Sequence, residues 1–315
     1  MIELVNEAGF DFGSAEYRAF FARFGQTPFQ HPDWLAPFYR RLPDASGVLP
    51  LILVGRQAGE LRCVLPLLRA PDGEVTFAFL EVTDYACPVV DHAVLGELSV
   101  GVALAEVAGD YRLNIAPIHE DHRGVWRALL GRDGAPMHYG AHAVTLSQPI
   151  AEWRRQTYGH HMLVGLGRKG RRLAERGDLR LEQVTGEAAR QAMEQAAQFR
   201  VGRFPGDPLQ VPAPAAFYGD VAASEGGLAR TFRLSLDGEV VALMFGLVHG
   251  RRFHYVVLAC NYAGYARYSP GLAILDLAIA AWAEEGGEVF DFTIGDEAFK
   301  AAFGCRRTPM YAITR

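Results

Sequence analysis

The spacing of hydrophobic and polar positions changes several times along the chain, and each change marks an element. Residues 14–24 carry Tyr17, Phe20, Phe21 and Phe24 at helical spacing behind a capping Ser14. His31-Pro32-Asp33-Trp34 opens a second helical pattern with Trp34, Leu35, Phe38 and Leu42 on one face. The pattern then turns to strands over 49–55, 60–68 and 74–82, separated by turn residues at Ala58-Gly59 and Asp72-Gly73. Asp84-Tyr85 ends this meander. Residues 94–107 predict a helix, 111–116 a strand, and 133–139 a linker before a strand near 143–146. The second half begins with a basic helical stretch broken by glycines (151–176) and an amphipathic helix (186–200). A Pro-rich loop (204–214) and a short helix (215–224) follow. Three strands then run over 229–236, 239–249 and 252–260, with turns at Asp237-Gly238 and Gly250-Arg251. Residues 265–300 predict a turn, an apolar helix and a short strand reaching Asp291.

The two halves share an order of elements. The hairpin at Gln57-Ala58-Gly59-Glu60 has its counterpart at Leu236-Asp237-Gly238-Glu239, 179 residues later. Each is followed by another turn, a long strand, an aromatic-rich loop, a helix and a strand. That order points to a duplicated α/β unit; Gly-Glu hairpin turns are common enough to arise by coincidence. The copies differ at the helix mouth. The second carries Ser269-Pro270-Gly271-Leu272-Ala273, and the first carries Cys87-Pro88-Val89-Val90-Asp91-His92.

Composition narrows the function classes. Half of the 315 residues are hydrophobic, enough for a sizeable core, and the net charge of −5 argues against broad nucleic-acid binding. Only Lys169 and Lys300 are lysines among 31 basic residues. The four cysteines form no CxxC pair, which fits a reducing cytoplasm. No signal peptide is recognised at the N-terminus, and no apolar run reaches the ~18 residues of a membrane span; peripheral contact with a membrane stays open. His119-x-x-His122, His138-x-x-x-His142 and His160-His161 lack companion ligands, so no metal is expected.

The mouth of the helix after Ser269 carries the chemistry. Pro at the first helical position and Gly next to it expose backbone N–H groups that favour an anion such as a pyrophosphate. Gly271 lets the backbone approach a phosphate closely, Ala273 keeps the approach clear, and Arg267 adds charge. A Ser-Pro capped helix with no ligand is the plain alternative.

Tyr268–Ser269–Pro270–Gly271–Leu272–Ala273 resembles the pyrophosphate loop of the GNAT acyl-CoA N-acyltransferases, with Tyr268 where Gln or Arg is usual. The wider pattern is similar to the tandem-GNAT group of the FemAB peptidoglycan aminoacyltransferases and the CelD (BcsL)-like, BioF2-like acetyltransferases. The resemblance is carried by Thr27-Pro28-Phe29-Gln30-His31-Pro32-Asp33-Trp34, Asp84-Tyr85, the arginine-rich residues 168–172, and the run from Phe290 to Lys300. It implies an α/β fold of two tandem GNAT-like units, each a mixed, mostly antiparallel sheet flanked by helices. Residues 1–140 would form a degenerate acceptor-side unit and 141–300 the acyl-CoA unit, packed around a cleft, with 301–315 crossing back to the first unit as a strand.

The implied donor is acetyl-CoA or another acyl-CoA, and the implied acceptor is a small or sugar-linked amine on a cell-envelope or exopolysaccharide precursor. In the FemAB branch the donor is an aminoacyl-tRNA, and a catalytically silent binding protein is a third reading; DNA is no partner in any of them. The resemblance places Tyr255 and Val257 along the pantetheine, and Arg267, Tyr268, Ser269, Gly271, Leu272 and Ala273 at the phosphates. Lys300, five residues after Gly295, resembles the lysine of the FemAB-type Gly-x-x-x-x-Lys motif that faces the reacting acyl group, or is a surface lysine paired with Asp296 or Glu297. Asp84 is a base candidate or an acceptor ligand, or caps a turn. Asp291 ends a strand where functional carboxylates sit, or braces a loop. Tyr262, Tyr265 and Tyr268 are candidate acids for the thiolate, or packed phenols. Tyr85, Arg168 and Arg200 are expected on the acceptor side, and the basic run around Arg168 is otherwise a solvated helix face.

Overall fold

The computed structural model describes all 315 residues. The first part of the chain runs β1 (Leu4–Asn6), α1 (Ala15–Phe24), α2 (Pro32–Ser46), β2 (Leu49–Gln57), β3 (Glu60–Arg69), β4 (Glu74–Phe77), β5 (Val89–Val90), α3 (Val100–Ala108), β6 (Arg112–His119), α4 (Glu120–Leu130) and β7 (Ala135–Thr145). It continues with α5 (Ile150–Thr157), α6 (His160–Ala174), β8 (Leu179–Val184), α7 (Gly186–Arg200), α8 (Pro212–Ala222), β9 (Ala229–Leu236), β10 (Glu239–His249) and β11 (Arg252–Cys260). The last elements are α9 (Tyr262–Tyr265), α10 (Pro270–Glu284), β12 (Val289–Ile294), α11 (Ala298–Ala302) and β13 (Arg306–Thr314). Contacts divide the chain into a unit of residues 1–140 with 308–315, and a unit of residues 141–307.

In the first unit β1, β2, β3 and β4 form an antiparallel meander. The hairpin between β2 and β3 turns on Ala58 (φ 52°) and Gly59 (φ 84°), the two positive-φ residues that a two-residue hairpin with native twist requires. Strand β4 pairs parallel with β6, and β6 pairs antiparallel with β13. Helix α2 starts where the His31 ring nitrogen accepts the Asp33 N–H at 3.0 Å, and ends at Gly47 in the left-handed region. Its Trp34 is fully buried, edge-on to Phe29 at 5.3 Å.

In the second unit the sheet order is β7, β12, β11, β10, β9, β8. β11 and β12 are parallel and the other neighbours antiparallel. The β9–β10 hairpin repeats the first one's chemistry with Asp237 (φ 48°) and Gly238 (φ 85°). Phe253 stacks on Phe290 at 4.9 Å and meets Trp282 and Phe232, fixing α10 on the sheet. The Trp282 indole N–H donates to the Val289 carbonyl at 3.0 Å.

Several elements differ from the sequence expectation. Helix α3 starts only at Val100, because residues 92–97 close into a 3-10 turn capped by the Asp91 side chain. Strand β7 begins inside the stretch expected as a linker. The region 151–176 divides into α5 and α6 where Tyr158 and Gly159 are extended. Helix α4 and strand β8 had no expected counterpart. The acids Glu120 and Asp121 behind the capping His119 signal α4, and the Leu179, Leu181 alternation signals β8.

Truncating Phe253, which has no exposed surface, should destabilise the protein by about 3–5 kcal/mol. Urea unfolding of Phe253→Ala followed by tryptophan fluorescence measures this.

Candidate active site

Two neighbouring strands part in the second unit. β11 and β12 pair only through Arg252–Val289, Phe253–Phe290 and His254–Asp291. Beyond them β11 stays with β10 and leaves β12. A bulge lies at the parting, since Phe245 opposes Val257 and Gly246 opposes Tyr255, so Val256 is the extra residue. Such a bulge bends its strand and raises its twist. Gly246 permits the close approach: a Cβ there would lie 2.5 Å from the His254 carbonyl oxygen and 2.3 Å from the Phe253 ring. On the other strand Thr293 takes φ 55°, a strained value for a β-branched residue. Two bonds hold it. Its N–H donates to Asp291 Oδ1 at 2.8 Å, and its hydroxyl donates to the Tyr255 carbonyl at 3.1 Å.

The parting opens a cavity of about 410 Å³. Its floor is Tyr255, Leu258 and Cys260 of β11, and one end reaches Ser269, Gly271 and Leu272 at the start of α10. Pro270 has no N–H, and the first intrahelical bond runs from Ala273 N–H to the Ser269 carbonyl. The Gly271 and Leu272 N–H groups therefore have no acceptor within the helix. A Cβ on Gly271 would lie 3.1 Å from Leu258 Cδ2 and 3.4 Å from Cys260 Sγ, narrowing the cavity at that point.

Polar groups converge on this space. The Arg200 guanidinium makes a two-pronged pair with buried Asp207 at 2.8 and 3.0 Å, and donates to the Leu258 carbonyl at 2.8 Å. It so ties the loop after α7 to β11. Arg203 lies over the Tyr262 ring at 3.9 Å. Burial raises the Tyr262 phenol pKa, helped by the neighbouring Cys260 to which it is hydrogen-bonded. Burial also pushes the Cys260 thiol up to about 11, so both groups are protonated at neutral pH. Glu297 enters the cavity wall, its carboxylate 2.9 Å from Lys300 Nζ.

On the α6 side of the 266–269 turn lies a second cavity, of about 630 Å³, lined by Arg168, Lys169, Arg172, Glu175, Arg176, Arg267 and Tyr268. Lys169 Nζ donates to Ser269 Oγ at 2.7 Å.

Residues 164–301 match a family model described as an acetyltransferase (GNAT) domain. The second unit is a GNAT domain. No curated protein matches the chain. Among solved structures the chain is similar to FemX, at 13% identity and a TM-score of 0.60, with 94% of each chain covered. It is also similar to L-PGS from Bacillus licheniformis, at 12% identity and a TM-score of 0.59, covering 93% of this chain and 89% of that one. A tandem GNAT protein from the clavulanic acid biosynthesis pathway matches at 13% identity and a TM-score of 0.51, covering 100% and 98%. The fold is thus that of the tandem-GNAT, FemAB-like group.

The GNAT domain brings together some of the residues expected from sequence. Tyr255, Ser269, Gly271, Leu272 and Arg200 line the first cavity, and Arg168, Arg267 and Tyr268 line the second. Arg168 thereby stands beside the residues expected at the phosphates rather than apart from them. Ser269 does not cap α10 with its side chain; it is itself left-handed (φ 54°) and bonded to Lys169. Val257 is buried, and Ala273 packs against the core.

Two expected participants, Lys300 and Asp291, are engaged in holding the backbone. Lys300 is 1% exposed, not a surface lysine, and its ammonium donates to the carbonyls of Thr293, Ile294 and Gly295 besides pairing with Glu297. Asp291 is 1% exposed and pairs with Arg252 at 3.1 Å while accepting the Thr293 N–H. Neither lines either cavity. Tyr85 belongs to the first unit, 2% exposed, edge-on to Phe29 and His119 at 5.7 and 5.1 Å. Half-buried Asp84 is in the same unit and raises the pKa of Tyr139, after the larger effect of burial. Glu297 and Arg203 are the wall residues that sequence reasoning left without a catalytic role. Their signal was position, two residues after Gly295 and three after Arg200. No group of three or more His, Cys, Asp or Glu side chains is placed to hold a metal ion. No helix is long and apolar enough to cross a membrane.

His254 anchors the last paired step of β11. Burial lowers its pKa to about 4, against an attraction from Asp291 that acts upward. A histidine held neutral in the fold contributes stability above its unfolded value near 6.5, and that stability is lost as pH falls towards 4. The melting temperature of the wild type should therefore fall more steeply between pH 7 and pH 4.5 than that of His254→Asn. Parallel slopes in the two proteins would exclude the assignment.

Proposed function

We propose that the protein is an acyl-CoA-dependent N-acyltransferase, with acetyl-CoA as the simplest donor and an amine of a small or sugar-linked molecule as acceptor. The observation that carries this reading is the continuity of the first cavity. It runs from the unpaired edge of β11 to two free N–H groups at the mouth of α10. An extended thioester arm would lie along β11 at Tyr255–Leu258, and its pyrophosphate would take the Gly271 and Leu272 N–H groups.

Direct attack by an amine on a thioester requires proton removal, stabilisation of the developing oxyanion and protonation of the leaving thiolate. Glu297 is the carboxylate in the cavity wall and is assigned the base role. Lys300 fixes Glu297 and the 293–295 carbonyls, so it acts as a positioning residue. Backbone N–H groups of β11 beyond the parting supply the donors for the oxyanion. Tyr262, protonated and steadied by Arg203, supplies the proton for the thiolate. Asp84 and Tyr85 are assigned to the acceptor side with the rest of the first unit, a role that rests on the family resemblance. A cell-envelope or exopolysaccharide precursor is the acceptor class in this reading, and the cytoplasm its setting.

The competing donor, an aminoacyl-tRNA, would have to use the basic lining of the second cavity for its phosphates. Isothermal titration with acetyl-CoA separates the two. Binding by the wild type with a dissociation constant in the micromolar range, lost in Gly271→Glu, is expected. That variant sets a carboxylate against Leu258 and Cys260 at the phosphate end. Failure of the wild type to bind acetyl-CoA would remove the reading.

Exchanging Glu297 for Gln should lower turnover on an amine panel by about 100-fold or more while leaving acetyl-CoA affinity within a few-fold. Unchanged turnover would take Glu297 out of the mechanism.

A further inference from the structure

The second cavity holds more positive charge than its one acid can neutralise. Arg168, Lys169, Arg172, Arg176 and Arg267 line it, against the single acid Glu175. Arg168, Arg172 and Arg267 make no ion pair; Arg176 donates to the Tyr268 hydroxyl at 3.3 Å, and Lys169 to Ser269. The spacing adds repulsion. Arg168 and Arg172 are one helical turn apart, and so are Lys169 and Arg172. Elsewhere in the protein arginines facing a carboxylate are common, as in Arg154–Asp276 and Arg190–Asp220. A concave cluster of like charges in a chain of net charge −5 is built for an anion of more than one charge.

The position of the cluster selects among anions. The loop 266–271 is shared: Ala266, Ser269 and Gly271 face the first cavity, while Arg267 and Tyr268 face the second. Lys169 ties the two sides together through Ser269. A donor whose thioester arm fills the first cavity and whose pyrophosphate meets the helix mouth has one phosphate left, a monoester close to doubly charged at neutral pH. We propose that the α6 cavity seats the 3′-phosphate of coenzyme A, with Arg168 and Arg172 as the residues that distinguish the cofactor from its dephosphorylated form. This rests on the acyl-CoA reading above. An RNA backbone is disfavoured because the cations line one cavity rather than a broad face of a basic protein.

The test is calorimetric titration of wild type and of Arg168→Ala/Arg172→Ala with acetyl-CoA and with 3′-dephospho-acetyl-CoA. Circular dichroism and thermal melts report whether the variant is folded. The wild type should bind the dephosphorylated donor at least about tenfold more weakly, as expected when charge-assisted bonds to a phosphate are lost. The variant should bind both donors equally, at the wild type's weaker level, and Arg168→Lys/Arg172→Lys should recover part of the difference. Discrimination in the wild type should shrink with added salt. Equal binding of the two donors by the wild type overturns this inference and leaves the acyl-CoA reading intact, whereas binding of neither overturns both. Discrimination that survives in the folded Ala variant also overturns it. So does a short RNA hairpin that binds the wild type and loses binding in the variant while both donors bind as before.

Discussion

Everything proposed for the second unit depends on two parallel strands separating after three residue pairs. Backbone groups that lose their strand partner must find others or face a ligand. Here the Tyr255 carbonyl goes to the Thr293 hydroxyl, the Leu258 carbonyl goes to Arg200, and the 293–295 carbonyls go to Lys300. The separation is therefore held open by named bonds and does not rely on the absence of pairing. Strain accompanies it at Thr293, whose left-handed backbone is a form that β-branched residues rarely take. The local register irregularity of β12 against β7 falls at the same residues.

The same arrangement orders the electrostatics. Buried Asp207 neutralises Arg200 and leaves its third donor for a backbone carbonyl, so the α7–α8 loop is positioned by a charge pair that ends on β11. Glu297 is likewise fixed by Lys300, a group buried to 1% exposure. Removing Asp207 or Glu297 would leave the Arg200 or Lys300 cation in a poorly solvated place, which costs more than the pair itself contributes. Binding residues on the cavity wall are in this way supported by a shell that does not touch the cavity.

Much of the fold was legible in the sequence because its signals are local. The two Gly hairpins, the helix behind Ser269-Pro270 and the alternation of β9 to β11 follow from turn chemistry and period. Helix α4 and strand β8 were missed although each carries a short local signal, and the early start of β7 was missed because its strand partners lie far along the chain. The candidate site was legible where backbone chemistry defines it, at Ser269, Gly271 and Leu272. Where a side chain's partners decide its role, the sequence left alternatives open. A lysine five residues after a glycine looks exposed and reactive in one dimension, while Lys300 in three dimensions is surrounded by carbonyls. Nor could spacing alone join Arg168 to Arg267, which share a cavity across about a hundred residues of sequence.

The scarcity of lysine acquires a chemical meaning from these positions. An ammonium offers three donors in a compact tetrahedral head, and three backbone carbonyls around Lys300 use that shape in a way a planar guanidinium does not. The only other lysine, Lys169, sits on the rim of the basic cavity. Of the two side-chain amines that the protein carries, one is sealed from solvent and one is placed beside the α6 arginines. Amine-directed reagents would thus report on a single side-chain locus, and a bound anion there would register as a change in how fast that one nitrogen reacts.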